Sequence, residues 1–369
     1  MQFPAVDPIP LPAPVWLMKG LGLLTLALHF VAVFLLLGGL TLAIALNFRG
    51  MRPGGSAARD VSYAIARRLP VVMTYVINLG IPPLLFAQVL YGRALYTSTV
   101  LIGVLWIAII PLLTLGYWLL YRMSDRIANG KLGAVYGLGS LLIAVGIAQI
   151  FSFNMTLMLR PEVWHDMYSA SALGLQAPKD PTVTPRWLFM LTGGMVWGGL
   201  GTLLLANLPN LSDDVRRLMQ RLGGLAAAIA GVVQIGLGFW VQIAQPTNVQ
   251  QAVLTHPFYG ICGWLFLATA GLTLLLAGAQ AFMNKPNLPL TLANIVTGFL
   301  AVCGAVLYRD GIRDMTLLAK GFDVWDRTVV SNWSVIGLFL GLFVIGLVVV
   351  GWLISVVAKA TPEEEHVAM

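Results

Sequence analysis

The sequence predicts an all-α protein, a polytopic bundle of about nine transmembrane helices with its N-terminus outside and its C-terminus inside. Of its 369 residues, 58% are apolar and only 10% are charged, and the mean hydropathy is +0.85. The 22 Lys and Arg and 15 Asp and Glu cannot cover a soluble fold of this length, so lipid must cover most of the surface. The apolar residues also gather in runs of about 20 or more, the length that crosses about 30 Å of hydrocarbon. An ordinary globular chain and a disordered one are both excluded. The net charge of +7 is spread over connections without a concentrated basic patch, so it points to topology and not to nucleic acid.

The elements follow in order. Residues 1 to 15, within MQFPAVDPIPLPAPVW, lack a basic region before the apolar stretch and a small-residue cleavage pattern after it, so this is read as an outer segment leading into a retained span. The membrane domain is expected over 16 to 358. Its apolar runs fall at about 16 to 47, 69 to 92, 98 to 121, 132 to 159, 187 to 208, 222 to 244, 257 to 283, 288 to 308 and 330 to 358. Arg49, Arg52, Arg59, Arg67 and Arg68, then Arg122, Arg126 and Lys131, then Arg216, Arg217 and Arg221, then Lys285 and Lys359 mark one set of connections as cytoplasmic. The opposite set is balanced by acids. Its two longest members, near 160 to 186 and 309 to 329, are expected to be outer loops. They carry Trp164, Trp325 and mixed charges, which suits either docking of a neighbouring subunit or plain solvation. Residues 359 to 369 read as a cytoplasmic acidic tail.

Chemistry inside the spans is sparse. Tyr and Cys aside, His29 reads as the one ionisable side chain deep in any of them, and a buried imidazole there could ligate a haem iron or bond a neighbouring carbonyl. In the second span Pro82 and Pro83 remove backbone donors and should kink the helix, with Asn78 and Gln88 as amides able to satisfy freed backbone or a ligand such as quinone. Cys262 and Cys303 sit in apolar runs without any CxxC motif, which excludes a disulfide framework, an iron–sulfur cluster and covalent haem. GxSxG, HExxH and a phosphate-cradling Gly-rich turn are absent. A transporter would need paired intramembrane charges or matched broken helices, and neither is visible in the sequence.

The stretch ALHFVAVFLLLGG resembles the first helix of subunit I of the cytochrome bd quinol oxidases, where a His supplies a haem ligand matched here by His29. Gly80, Leu85 and Gly92 coincide with family residues in the second helix, and Asn154, Met158 and Pro161 follow the family pattern after the fourth. The likeness runs clearly through the fifth helix and implies a nine-helix subunit. The departures are specific. Gln88 stands where the family has a haem-pocket Glu, and Phe189 stands where a His holds the low-spin haem. No Met occurs in THPFYGICGWLFLATAGLTLLLA, AVLYRDGIRDM lacks the Glu-x-Gly-Arg-Gln segment, and the quinol loop shrinks to QPTNVQQAVLTH.

The resemblance therefore implies a bd-like membrane subunit of a bacterial respiratory complex in the inner membrane. It would link the quinone pool to a c-type cytochrome or other redox subunit on the outer face, without reducing oxygen itself. One haem b on His29, quinone, both or neither would be bound. His256, in THPFYG, reads as a helix cap or as a second haem ligand paired with His29, and His165 as solvated or at a subunit contact. A haem-free anchor for partner subunits and lipid is the competing expectation.

Overall fold

In hydrocarbon every backbone polar group must be satisfied internally, so each apolar run folds as a helix. The computed structural model describes residues 3, 9–170, 174–175 and 178–359. Its helices are α1 (Val15–Gly50), α2 (Ser56–Ala66), α3 (Leu69–Leu101), α4 (Gly103–Ala128), α5 (Ala134–Leu157), α6 (Trp164–Ser169), α7 (Val183–Leu205), α8 (Asp213–Ile243), α9 (Thr247–Thr255), α10 (Pro257–Ala281), α11 (Leu288–Leu318) and α12 (Trp333–Lys359). Among the described residues, eight helical stretches, α2 and α3 counting as one, are long and apolar enough to cross a membrane, and Trp333–Gly346 adds a shorter apolar stretch. The chain is an all-α, multi-pass membrane protein. Large apolar side chains such as Ile107, Leu142 and Trp264 point outward from it, where only lipid or a partner can cover them.

Several boundaries differ from the sequence reading. The segment 309–329 is not a loop throughout, because α11 continues unbroken to Leu318 and carries its first ten residues. The 160–186 connection holds a 3-10 turn at Pro161–Val163 and α6 before α7 begins at Val183. Pro82 and Pro83 lie inside α3, and the helical dihedrals break further on, at Tyr91. At the far end of that region the N-terminal segment is tied down, with Leu11 N–H donating to the Thr328 carbonyl at 2.8 Å and Val330 N–H to that of Leu11 at 2.9 Å. The tail from 360 to 369 lies outside the described residues.

Helices in lipid gain nothing by hiding apolar surface from one another, so close van der Waals contact and hydrogen bonds must hold them together. Small residues provide the approach. A Cβ added at Gly38 of α1 would collide with the Gly194 carbonyl of α7, and one at Gly198 would lie 2.5 Å from the Gly38 carbonyl carbon. Gly199 and Gly223 play the same part between α7 and α8, and Gly224 fits against Ala277 and Ala281 of α10. At the Arg-rich end, Asn47 Oδ1 of α1 accepts from the Gly133 and Ala134 N–H groups and so caps α5. Ser62 Oγ of α2 donates to the Ala43 carbonyl.

The exposed Arg59 lies at this end. A cysteine at that position is expected to react with an impermeant maleimide only in inverted vesicles, because basic connections stay cytoplasmic. Labelling in intact cells would reverse the orientation.

Candidate functional site

Residues of α1, α3, α4, α5, α7, α8, α9, α10 and α11 line a chamber of about 740 Å³. Its walls are almost wholly apolar, and His29 faces it from α1. His29 Nδ1 lies 3.0 Å from the Val76 carbonyl of α3. A carbonyl can only accept, so Nδ1 carries the proton and Nε2 is left as the lone-pair nitrogen. The imidazole rests on bare backbone: a Cβ at Gly80 would come within 2.9 Å of its Cε1. Gly80 thus leaves room for the ring, two residues before the first of the two prolines. A backbone bond at Nδ1 with a free Nε2 is the arrangement in which a histidine ligates a metal or accepts a hydroxyl proton.

One end of the chamber, which the positive-inside rule places outside, is charged. Lys19, Arg186, Arg309 and Arg313 line it, and no Asp or Glu does. Behind the wall sits a buried ionic cluster. Lys19 pairs with Asp310 at 2.8 Å and with Asp314, and Arg313 pairs with Asp310. Tyr91 and Tyr259 donate to the two oxygens of Asp314 at 3.0 and 2.9 Å, and the Arg313 guanidinium lies 3.8 Å from the Tyr91 ring centre. Tyr91 is also the residue at which α3 departs from helical dihedrals. This cluster corrects the reading of 309–329 as a loop, because Asp310 and Asp314 lie on α11 and are buried against Lys19 of α1. The spacing of Asp310, Arg313 and Asp314 at i, i+3 and i+4 on a segment without proline was the available signal.

The other expected site residues go elsewhere. Asn78 is exposed on the outside of the bundle, and neither it nor Gln88 lines the chamber. His256 caps α10, its Nδ1 accepting from the Phe258 and Tyr259 N–H groups at 3.2 and 3.4 Å. It is not among the chamber's lining residues, so it is not brought together with His29. Phe189 lines the chamber and packs on Phe266 with ring centroids 5.6 Å apart. Among the described residues no group of three or more His, Cys, Asp and Glu could hold a metal ion. The quinol-loop segment 247–255 folds as α9.

Outside the spans, Lys320 Nζ donates to Glu162 Oε2 at 2.9 Å and to the Leu159 carbonyl at 2.8 Å, joining the segments after α5 and α11. Burial pushes the Glu162 carboxyl up, but the Lys320 hydrogen bond, its own backbone N–H and the charges of Lys320 and Arg160 outweigh this and hold it below the usual value. A lowered folded pKa means that the clasp stabilises above the ordinary value of about 4.3 and is lost as pH falls through the folded pKa. Hydrogen exchange at 159–163 and 319–322 is expected to rise across that acid range, and Glu162→Gln to be fast already at neutral pH.

No protein-family model and no curated protein matches this chain.

Proposed function

We propose that this chain is a membrane subunit of a bacterial respiratory electron-transfer complex in the cytoplasmic membrane, similar to subunit I of cytochrome bd. It stands between the quinone pool and a c-type cytochrome or other redox subunit on the outer face, and does not itself reduce oxygen. The observation that supports this reading is the setting of His29, whose Nδ1 is held by the Val76 carbonyl and whose ring lines an apolar chamber. The residues present suit a haem b held by His29 Nε2, or a quinol whose hydroxyl donates to that nitrogen. Bound there, either group would supply reversible electron transfer. The chain's own residues hold Nε2 in place through Val76 and Gly80 and keep bulk water away with aliphatic walls. Phe189 on Phe266 fills the position the family gives to a low-spin haem ligand, and Gln88 lies off the chamber, which supports the exclusion of oxygen chemistry.

A haem-free anchor for redox partners is the second reading. It is favoured by α12, where Ile336 alone is buried among the side chains described from Trp333 to Val349. A reduced-minus-oxidised spectrum of the purified chain, with extraction of quinone, separates the two.

On the redox reading, His29→Ala loses the bound cofactor while the helices stay inserted, because insertion depends on apolar length and not on one imidazole. Gly80→Ala displaces the ring and acts in the same direction. Quinol-dependent reduction of the partner cytochrome in native membranes should fall about tenfold or more in both, the effect of about 1.4 kcal/mol at one contact. Wild-type rates in His29→Ala and His29→Leu would leave the anchor reading standing.

A further inference from the structure

The charged end of the chamber is unbalanced. Lys19 and Arg313 are neutralised by Asp310 and Asp314 from behind the wall. Arg186 and Arg309 have no acid of their own, since Asp180 and Asp310, which act on them through space, are already paired with Arg160 and with Lys19 and Arg313. Arg186 donates to the neutral Gln245 Oε1 at 3.0 Å, and the nearby Asp180 is engaged by Arg160 at 3.3 Å. Arg309 makes no ion pair or side-chain hydrogen bond among the described residues, although it faces the chamber. Two guanidiniums thus border an apolar space with no acid on its lining. A charge in that position is costly until a counter-charge joins it, and a guanidinium offers a planar fork that matches carboxylate and phosphate oxygens. Beside them the Tyr308 hydroxyl, which donates to Gln242 Oε1 at 2.8 Å, keeps its own oxygen as an acceptor.

We infer that Arg186 and Arg309 form a binding site for an anionic oxygen group, phosphate or carboxylate, carried on an apolar body that occupies the chamber. Charge selects the head, and the aliphatic walls select the body. Arg186 also borders a second recess of about 560 Å³ that reaches Arg160, Asp180 and Lys320, so the head lies on the side of the outer connections. Two sources provide this chemistry: the phosphate of an anionic phospholipid, or the carboxylates of a haem. The second source rests on the redox reading above, while the first is independent of it.

The test takes the full chain purified from native membranes, with lipid counted by native mass spectrometry and haem by absorbance. Wild-type protein is expected to retain one anionic phospholipid or one haem. Arg309→Gln with Arg186→Gln should lose it, and Arg309→Lys with Arg186→Lys should keep it in part because the charge remains. In detergent, phosphatidylglycerol should raise the unfolding temperature of the lipid-stripped wild type but not of the double Gln variant, and phosphatidylcholine should raise neither.

Retained phospholipid with no haem identifies the lipid source even if the redox reading fails. Retained haem lost in the Gln variant identifies the carboxylates. Wild-type protein that carries neither group and ignores phosphatidylglycerol would overturn the site, as would a double Gln variant that retains its ligand like wild type. If the double Gln variant does not fold, Arg309→Gln alone decides, with about tenfold weaker retention expected from the loss of one charge-assisted contact.

Discussion

Gly38→Ala, a single added methyl group, is expected to stop the bundle from assembling. The methyl would enter the space held by the Gly194 carbonyl, and Gly194 cannot retreat because Gly198, one turn on, is itself packed against Gly38. Overpacking a core costs about 1–3 kcal/mol when side chains can shift. Here the obstacle is backbone on both sides, so the cost should lie at or above the top of that range. Separating α1 from α7 would also open the chamber that both helices line. Low yield of monodisperse protein and loss of a cooperative thermal transition are the expected readouts. Gly20→Ala is the control, since a Cβ there meets nothing within 4 Å. Equal stability of the two variants would refute the close crossing.

What could be read from the sequence followed from the solvent. Apolar length is a local property, so the spans were legible in the residues. The chamber was not. It depends on which faces of nine helices meet, and that is decided by small residues such as Gly38, Gly194 and Gly223, whose role appears only when a second backbone lies against them. The charged end was missed for a different reason. Splitting α11 at Tyr308 treated Asp310, Arg313 and Asp314 as solvated, because each charge taken alone is too costly to bury. Paired with Lys19, 291 residues away from Asp310 in the chain, they neutralise one another, and the helix continues. Asn78 and Gln88 stand out in the sequence as polar residues in an apolar helix. The rotation of α3 turns them away from the chamber, a matter of 100° per residue that no spacing argument resolved without knowing the partner face.

Lys19→Met is expected to destabilise the protein severely, and the reason lies in the charge balance. Lys19 and Arg313 together offset Asp310 and Asp314. Without the ammonium, one carboxylate in a buried site loses its counter-charge, and Asp314 keeps only the hydroxyls of Tyr91 and Tyr259 as donors. Breaking one side of a buried ion pair costs about 3–5 kcal/mol, against total stabilities of about 5–15 kcal/mol. The loss should be felt far from Lys19, because the cluster ties α1, α3, α10 and α11 together at one end of the chamber. Asp314→Asn alone leaves an excess of positive charge and should be destabilising as well. The double variant Lys19→Met with Asp314→Asn leaves Arg313 and Asp310 as a neutral pair, with the Asn amide still able to accept from a tyrosine. It should therefore be more stable than either single change would suggest by addition. Thermal unfolding of all four proteins in the same detergent measures this coupling, and strict additivity would mean that the charges do not act as one unit.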